Sequence, residues 1–242
     1  LVGIIGDDFG LGTVAVFERS QSGWTETSRL AGESTSLESM TGEQVDCEDG
    51  AASLYGCDEI DLVSFLSVSD IGGGRGVQVN DVWGWTDPQS GREYALVGRY
   101  DGTSFVDVSD PSDPRYLGDL PMTEGARGNV WRDIKVYKDH AFVVSDGAGP
   151  HGMQIFDLTR LRDVGDEPAI FQEDAHYGSI ASAHNIVINE DTGFAYAVGA
   201  NSGGETCGGG LHMINIQDPL TPFFAGCFQD MSTGNQRTGY SH

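Results

Sequence analysis

Basic residues are scarce in this chain. Its 242 residues hold 13 Lys and Arg against 37 Asp and Glu, a formal net charge of −24. A surface of that sign repels phosphate backbones, so nucleic-acid binding is not expected; it suits solvation, or the gathering of cations. The acidic residues are spread along the chain, with no block that reads as a tail. Long apolar runs are missing too, since nothing approaches the roughly 18 residues of a membrane-spanning helix. No basic start leads into an apolar stretch, so no signal peptide is visible. Both ends read as cuts through a longer polypeptide: Leu1 lies inside a strand-like run, and Tyr240-Ser241-His242 stops where a new repeat would open. Helical spacing is nearly absent, with one turn expected at Thr159 to Val164. Hydrolase signatures are absent as well, neither Gly-x-Ser-x-Gly nor His-Glu-x-x-His. The glycines of Gly72-Gly73-Gly74-Arg75-Gly76 are followed by no P-loop lysine and no helix pattern, so they make no phosphate cradle.

Cysteine is sparse but even in number. Cys47 and Cys57 flank a Gly-containing loop, and Cys207 and Cys227 lie on either side of one strand. Local pairs suggest two disulfides and an oxidising compartment. Zinc is the competitor, but neither spacing is Cys-x-x-Cys.

What the chain does have is glycine, 35 residues of it, and a unit repeated three times at a spacing of 52 residues. Each copy opens on a polar pair and an apolar strand: Asn80-Asp81-Val82-Trp83, Arg132-Asp133-Ile134-Lys135, His184-Asn185-Ile186-Val187. A second strand follows at Tyr94–Gly98, Ala141–Ser145 and Ala195–Gly199, and a third at Ser104–Ser109, Met153–Leu158 and His212–Ile216. A short fourth is expected at Tyr116–Gly118, Ala169–Phe171 and Phe223–Gly226. Asp110-Pro111 and Asp218-Pro219 mark the turn between third and fourth strands, because proline cannot donate to a ladder. Four strands per repeat at this period predict an all-β fold, a β-propeller with blades at about 80–131, 132–183 and 184–241. Before them, residues 1–30 read as a strand pair (Thr13–Arg19 and Trp24–Leu30). Residues 31–76 read as a disulfide-stapled linker with a short strand at Asp61–Val68.

The run Phe105-Val106-Asp107-Val108-Ser109-Asp110-Pro111-Ser112-Asp113-Pro114 resembles the LVIVD-repeat β-propellers, and Met213 to Pro219 is a second version with Asn215 in place of the usual Asp. Asn80 to Pro88, Trp131 to Asp157 and Ser182 to Gly199 are similar to the secreted bacterial choice-of-anchor B proteins; the likeness covers roughly 45–242. Residues 7–30 resemble the end of an FG-GAP-type blade, without its calcium loop. The resemblance implies an extracytoplasmic propeller, secreted or attached to the cell envelope. It implies no reaction.

In a propeller the first strands line the central channel, so the opening pairs would ring one mouth: Asn80, Asp81, Arg132, Asp133, His184, Asn185 and His242. Such a set suits a small polar ligand, or it satisfies itself with internal bonds and channel water. Asp81, Asp133, His184 and His242 are the candidate metal ligands, for calcium through oxygen or a transition metal through imidazole. His151, in a Gly-Pro-His-Gly loop, would face the same mouth. Three functions stay open. One is a binding or scaffold module for a protein or polysaccharide at the cell surface. A second is a metal-dependent hydrolase at the channel mouth. The third is a structural subunit of an extracellular assembly, since open-edged repeats can stack on neighbours.

Overall fold

The computed structural model describes residues 38–230 with their side chains and, within the first 31 residues, the backbone of three strands. These are β1 (Val2–Ile4), β2 (Thr13–Ser20) and β3 (Gly23–Ala31), an antiparallel sheet in that order. The expected strand pair is therefore present.

The linker carries a two-residue ladder, β4 (Ala51–Ala52) with β5 (Tyr55–Gly56), inside the loop closed by the Cys47–Cys57 disulfide. The strand expected at Asp61–Val68 does not form. That segment makes only isolated antiparallel bridges, Leu62 to Val45 and Phe65 to Met40. Between the two bridging residues Met40 and Val45 lies Thr41-Gly42-Glu43-Gln44, which offers no apolar row for a pleated surface to pack on.

From residue 79 the chain builds three sheets in succession. The first is β6 (Val79–Thr86), β7 (Glu93–Arg99), β8 (Gly102–Asp107) and β9 (Arg115–Pro121), each antiparallel to the one before. The second runs β10 (Arg132–Tyr137), β11 (His140–Ser145) and β12 (Met153–Asp157), then a 3-10 helix at Leu158–Asp163. Here the sequence reading needs correction. Ala169–Ile170, named β13, is not the fourth strand of its own sheet but pairs in parallel with β9 of the first. The fourth strand of the second sheet is β14 (Ala175–Tyr177). Gly118 makes the crossing possible. Its φ is +139°, and a Cβ there would lie 2.0 Å from the Ala169 carbonyl oxygen. A small connecting ladder, β15 (Ile180–Ser182) with β18 (Asn201–Gly204), brackets the start of the third sheet. That sheet is β16 (Asn185–Asn189), β17 (Phe194–Val198), β19 (Leu211–Asn215) and β20 (Phe223–Phe228). The second disulfide, Cys207–Cys227, ties β20 to the loop before β19. The architecture is all-β, and the sheets are not closed on themselves.

Two apolar cores separate the three sheets. Trp85, Tyr94, Leu96, Phe105, Ile134, Val143, Phe156 and Phe171 fill the first gap. Phe142, Val144, Met153, Ile155, Ile186, Ala197 and Ile214 fill the second. The middle sheet is thus covered on both faces, which explains why Ala141-Phe142-Val143-Val144 is an unbroken buried run. In the outer sheets β7 and β17 alternate between buried and partly exposed positions, as strands with one covered face do.

The third strands share a local ending. Asp107 Oδ1 accepts from Ser109 N at 3.0 Å, Asp157 Oδ1 from Thr159 N at 2.9 Å, and Asn215 Oδ1 from Gln217 N at 3.0 Å. An Asx-type turn closes the strand in every repeat. Asn215 keeps the acceptor that the turn needs, so its departure from Asp costs the fold little.

Candidate functional site

The opening polar pairs stand at the start of the inner strands β6, β10 and β16. Alternation along a strand sends neighbouring side chains to opposite faces. Asp81 and Asp133 accordingly point toward the following sheet, and Ile134 and Ile186 toward the preceding one. Asp81 Oδ2 accepts from the Ile134 backbone N–H at 2.8 Å. Asp133 Oδ2 accepts from the Ile186 N–H at 2.6 Å. The same staple therefore recurs one repeat later. Asn80 adds a two-way bond to Arg132, its Nδ2 donating to the carbonyl and its Oδ1 accepting from the N–H, both at 3.1 Å. Asp133 also takes the Lys135 ammonium on its other oxygen. Lys135 Nζ in turn lies 4.4 Å from the centroid of the Trp83 ring.

Burial pushes the Asp81 carboxyl above its ordinary range against the pull of the Ile134 N–H, and the Asp133 charge pushes the same way. His184 Nδ1 lies 2.9 Å from Asp146 Oδ2, and Asn201 donates to the other Asp146 oxygen at 3.0 Å. The third repeat breaks the staple series. Asn185 Oδ1 is buried and has no hydrogen-bond partner among the described residues.

Arg132 is 2% exposed. Its Nε donates to the Arg99 carbonyl, and Nη1 lies 2.8 Å from His151 Nε2, while Nη2 finds no partner among the described residues. His151 Nδ1 in turn sits 3.1 Å from the Gly152 carbonyl. Together these fix a neutral imidazole that donates from Nδ1 and accepts at Nε2. Burial, then the Arg132 charge, pulls the His151 pKa down to about 3. Burial likewise lowers the Arg132 guanidinium to about 10. His151 thus sits against Arg132 of the second polar pair.

Of the four proposed metal ligands, Asp81, Asp133 and His184 each hold a protein partner, and His242 lies outside the described residues. Among the described residues, the group of three ligand atoms lying within 4.8 Å of one another is Glu205, Cys207 and Cys227. Its two sulfurs are bonded to each other.

The sequence reading missed Arg99. Its Nη1 donates to Asp119 Oδ1 at 2.8 Å, Ser104 Oγ at 3.0 Å and the Ile71 carbonyl at 2.6 Å, and Nε reaches Asp101 at 3.0 Å. No repeat pattern announces it: the second strands as aligned in sequence set Gly98 beside Ser145 and Gly199, and it is the register of the sheets that puts Arg99 there. It missed the strut between the first two sheets as well. Asp87, in the first turn, takes Nε and Nη2 of Arg162 at 3.0 and 2.6 Å. That bidentate bond holds the Asp87 carboxyl far below its ordinary range. A groove of about 410 Å³ opens beside β9 and the β13 strap, between Leu120, Met122, Glu124, Gln154, Phe171 and Glu173.

Compared with known proteins, the chain matches no family model and no curated protein. Among the described residues no helix is long and apolar enough to cross a membrane.

Proposed function

We propose that the three stapled sheets are successive blades of a β-propeller of the LVIVD-repeat, choice-of-anchor B kind, and that the chain acts outside the cytoplasm as a binding or scaffold module. The observation that carries this reading is the use made of the polar pairs. A catalytic or metal-binding carboxylate needs free lone pairs aimed at a common point. Asp81 and Asp133 instead spend an oxygen each on the backbone of the next sheet. The ring of polar residues is thus internal mortar. Two disulfides in a described region of modest core support an oxidising compartment. The acid surface and the groove beside β9 leave the exterior for recognition of a protein or polysaccharide.

The test pairs a chelator with a partner assay. Removal of divalent metal is expected to leave the melting temperature unchanged, since a metal bound only to the native state would otherwise have stabilised it. Binding to isolated cell-envelope polysaccharide or protein is expected to saturate and to survive the chelator. A stoichiometric metal whose loss lowers the melting temperature and abolishes a hydrolytic activity would overturn the scaffold reading in favour of the metal-dependent enzyme.

A further inference from the structure

The second disulfide is set among metal-ligating side chains, and the first is not. Cys207 opens the short 3-10 turn Cys207–Gly209 between β18 and β19, and Cys227 lies on β20 directly across from His212 of β19. Opposed residues of an antiparallel pair share one face, with Cβ atoms about 4.5–5.5 Å apart. His212 Nδ1 is 3.7 Å from Cys207 Sγ. A carboxylate oxygen of Glu205 lies within 4.8 Å of both sulfurs. Glu205 Oε1 also accepts from the Cys207 backbone N–H at 2.8 Å, which turns the side chain toward them. His212 and Cys207 are 0% and 6% exposed, while Glu205 and Cys227 face solvent, so the group has a closed side and an open one. Cys47 and Cys57 belong to no such group among the described residues.

We propose that Cys207 and Cys227, once reduced, bind zinc together with Glu205 and His212, so that a metal replaces the sulfur bond in tying β20 to the loop before β19. Two thiolates, an imidazole and a carboxylate make a zinc donor set, and a tetrahedral ion holds such ligands about 3.3–3.8 Å from one another. The separation of Cys207 and His212 already falls in that range. Breaking the sulfur bond lets the sulfurs part, and the exposed Cys227 and Glu205 side chains are free to turn toward the ion. Exposure of Cys227 also opens the bond to a reductant. The steps balance. A dithiol gives two electrons and two protons to the S–S bond and becomes a disulfide itself, leaving two Cys thiols. Zinc then displaces both thiol protons to solvent. His212 Nδ1 donates to the Glu205 carbonyl at 2.8 Å, and Nε2 lies 2.7 Å from the Tyr177 hydroxyl. Zinc at Nδ1 shifts that proton to Nε2, which donates to Tyr177 Oη, the outer partner that a ligating histidine needs. Burial lowers the His212 pKa, so the ring is already neutral, as a ligand must be.

Zinc titration of the chain reduced with a phosphine, which competes for the metal less than a dithiol would, tests the proposal. Elemental analysis after desalting is expected to find one zinc per reduced chain and none per oxidised chain, and zinc is expected to raise the melting temperature of the reduced chain. Cobalt in its place is expected to show thiolate-to-metal charge-transfer absorption. Glu205→Gln and His212→Gln are each expected to weaken zinc by more than the roughly 10–100-fold that loss of an outer partner costs. Glu205 is exposed, so it carries the comparison should His212→Gln fail to fold by far-UV circular dichroism. Joint Cys47→Ser and Cys57→Ser substitution is expected to keep the metal. A reduced chain that retains no zinc, folded or not, overturns the site. So does zinc held equally by the oxidised chain, cobalt without the thiolate band, an affinity indifferent to Glu205→Gln, or loss of the metal with the first cysteine pair. None of these outcomes touches the scaffold reading, whose chelator measurement is made on the oxidised chain.

Discussion

At the scale of single residues, the organising event is a carboxylate oxygen on a backbone N–H of the neighbouring sheet. Asp133 is 5% exposed, and Ile186, whose N–H it receives, is 0% exposed. Asp133→Ala leaves that donor without a partner in a dry place, which costs about 1–3 kcal/mol. Urea unfolding of the variant is expected to show a lower midpoint with an unchanged slope. His151 sets a pH dependence whose sign follows from its depressed pKa. The folded state holds the imidazole neutral down to about 3, whereas the unfolded chain protonates it near 6.5. Between those values the unfolded state binds more protons, so this contribution is fully present above 6.5 and is lost as pH falls toward 3. Asp81 and Asp119, with carboxyls raised by burial, act in the opposite sense. The His151 share is therefore read as a difference. His151→Gln is expected to lose less stability than the parent between about pH 7 and about pH 4.5 in paired urea titrations. The polar pairs were legible in the sequence as residues with a shared task, because they recur in phase with the strands. Their task was not, because the partner is a backbone group and no spacing of side chains announces one. Arg99 escaped for a different reason: its four acceptors come from separated points of the chain, Ile71, Asp101, Ser104 and Asp119.

At the scale of elements, period-two alternation and turn chemistry located the strands of the repeats. The error at Ala169–Phe171 is instructive. Sequence position put β13 in the second sheet, but edge pairing is decided by which neighbour offers a free strand at close approach. β9 does so through Gly118. Phe171 then drops into the first core against Phe105 and Phe156, at ring-centroid distances of 5.7 and 4.9 Å. Gly118→Ala must therefore displace the strap or strain the backbone, at a cost of about 1–3 kcal/mol. The amides of β13 are expected to lose hydrogen-exchange protection while those of β10 and β11 keep theirs. If β13 protection is unchanged, the strap does not depend on that glycine. Asp61–Val68 failed as a strand because alternation describes only one partner, and the opposite segment meets it only at Met40 and Val45, with polar residues between.

At the scale of the whole molecule, stability is set by position in the stack. The middle sheet shares a core with each neighbour, and each outer sheet has one. Local opening is easiest where few apolar contacts oppose it. Native-state hydrogen exchange should accordingly rank β10–β12 slowest and the inner strands β6 and β16 faster. Equal rates across the three sheets would mean that they unfold as one unit. The three-sheet order was legible from the 52-residue spacing, but the burial of the middle repeat on both faces was not, because the second strands read alike as alternating in all three repeats.

The staple has a grammar. Its giving side requires a particular side chain, an acceptor at the head of the inner strand, but its receiving side is a main-chain N–H, which every residue except proline possesses. The staple alone therefore asks for no compensating substitution in a new neighbour, unlike the side-chain strut of Asp87 and Arg162. Proline alone is forbidden at the places held by Ile134 and Ile186. Duplication carries this joint along with the strand, while the packed side chains at each seam still have to match.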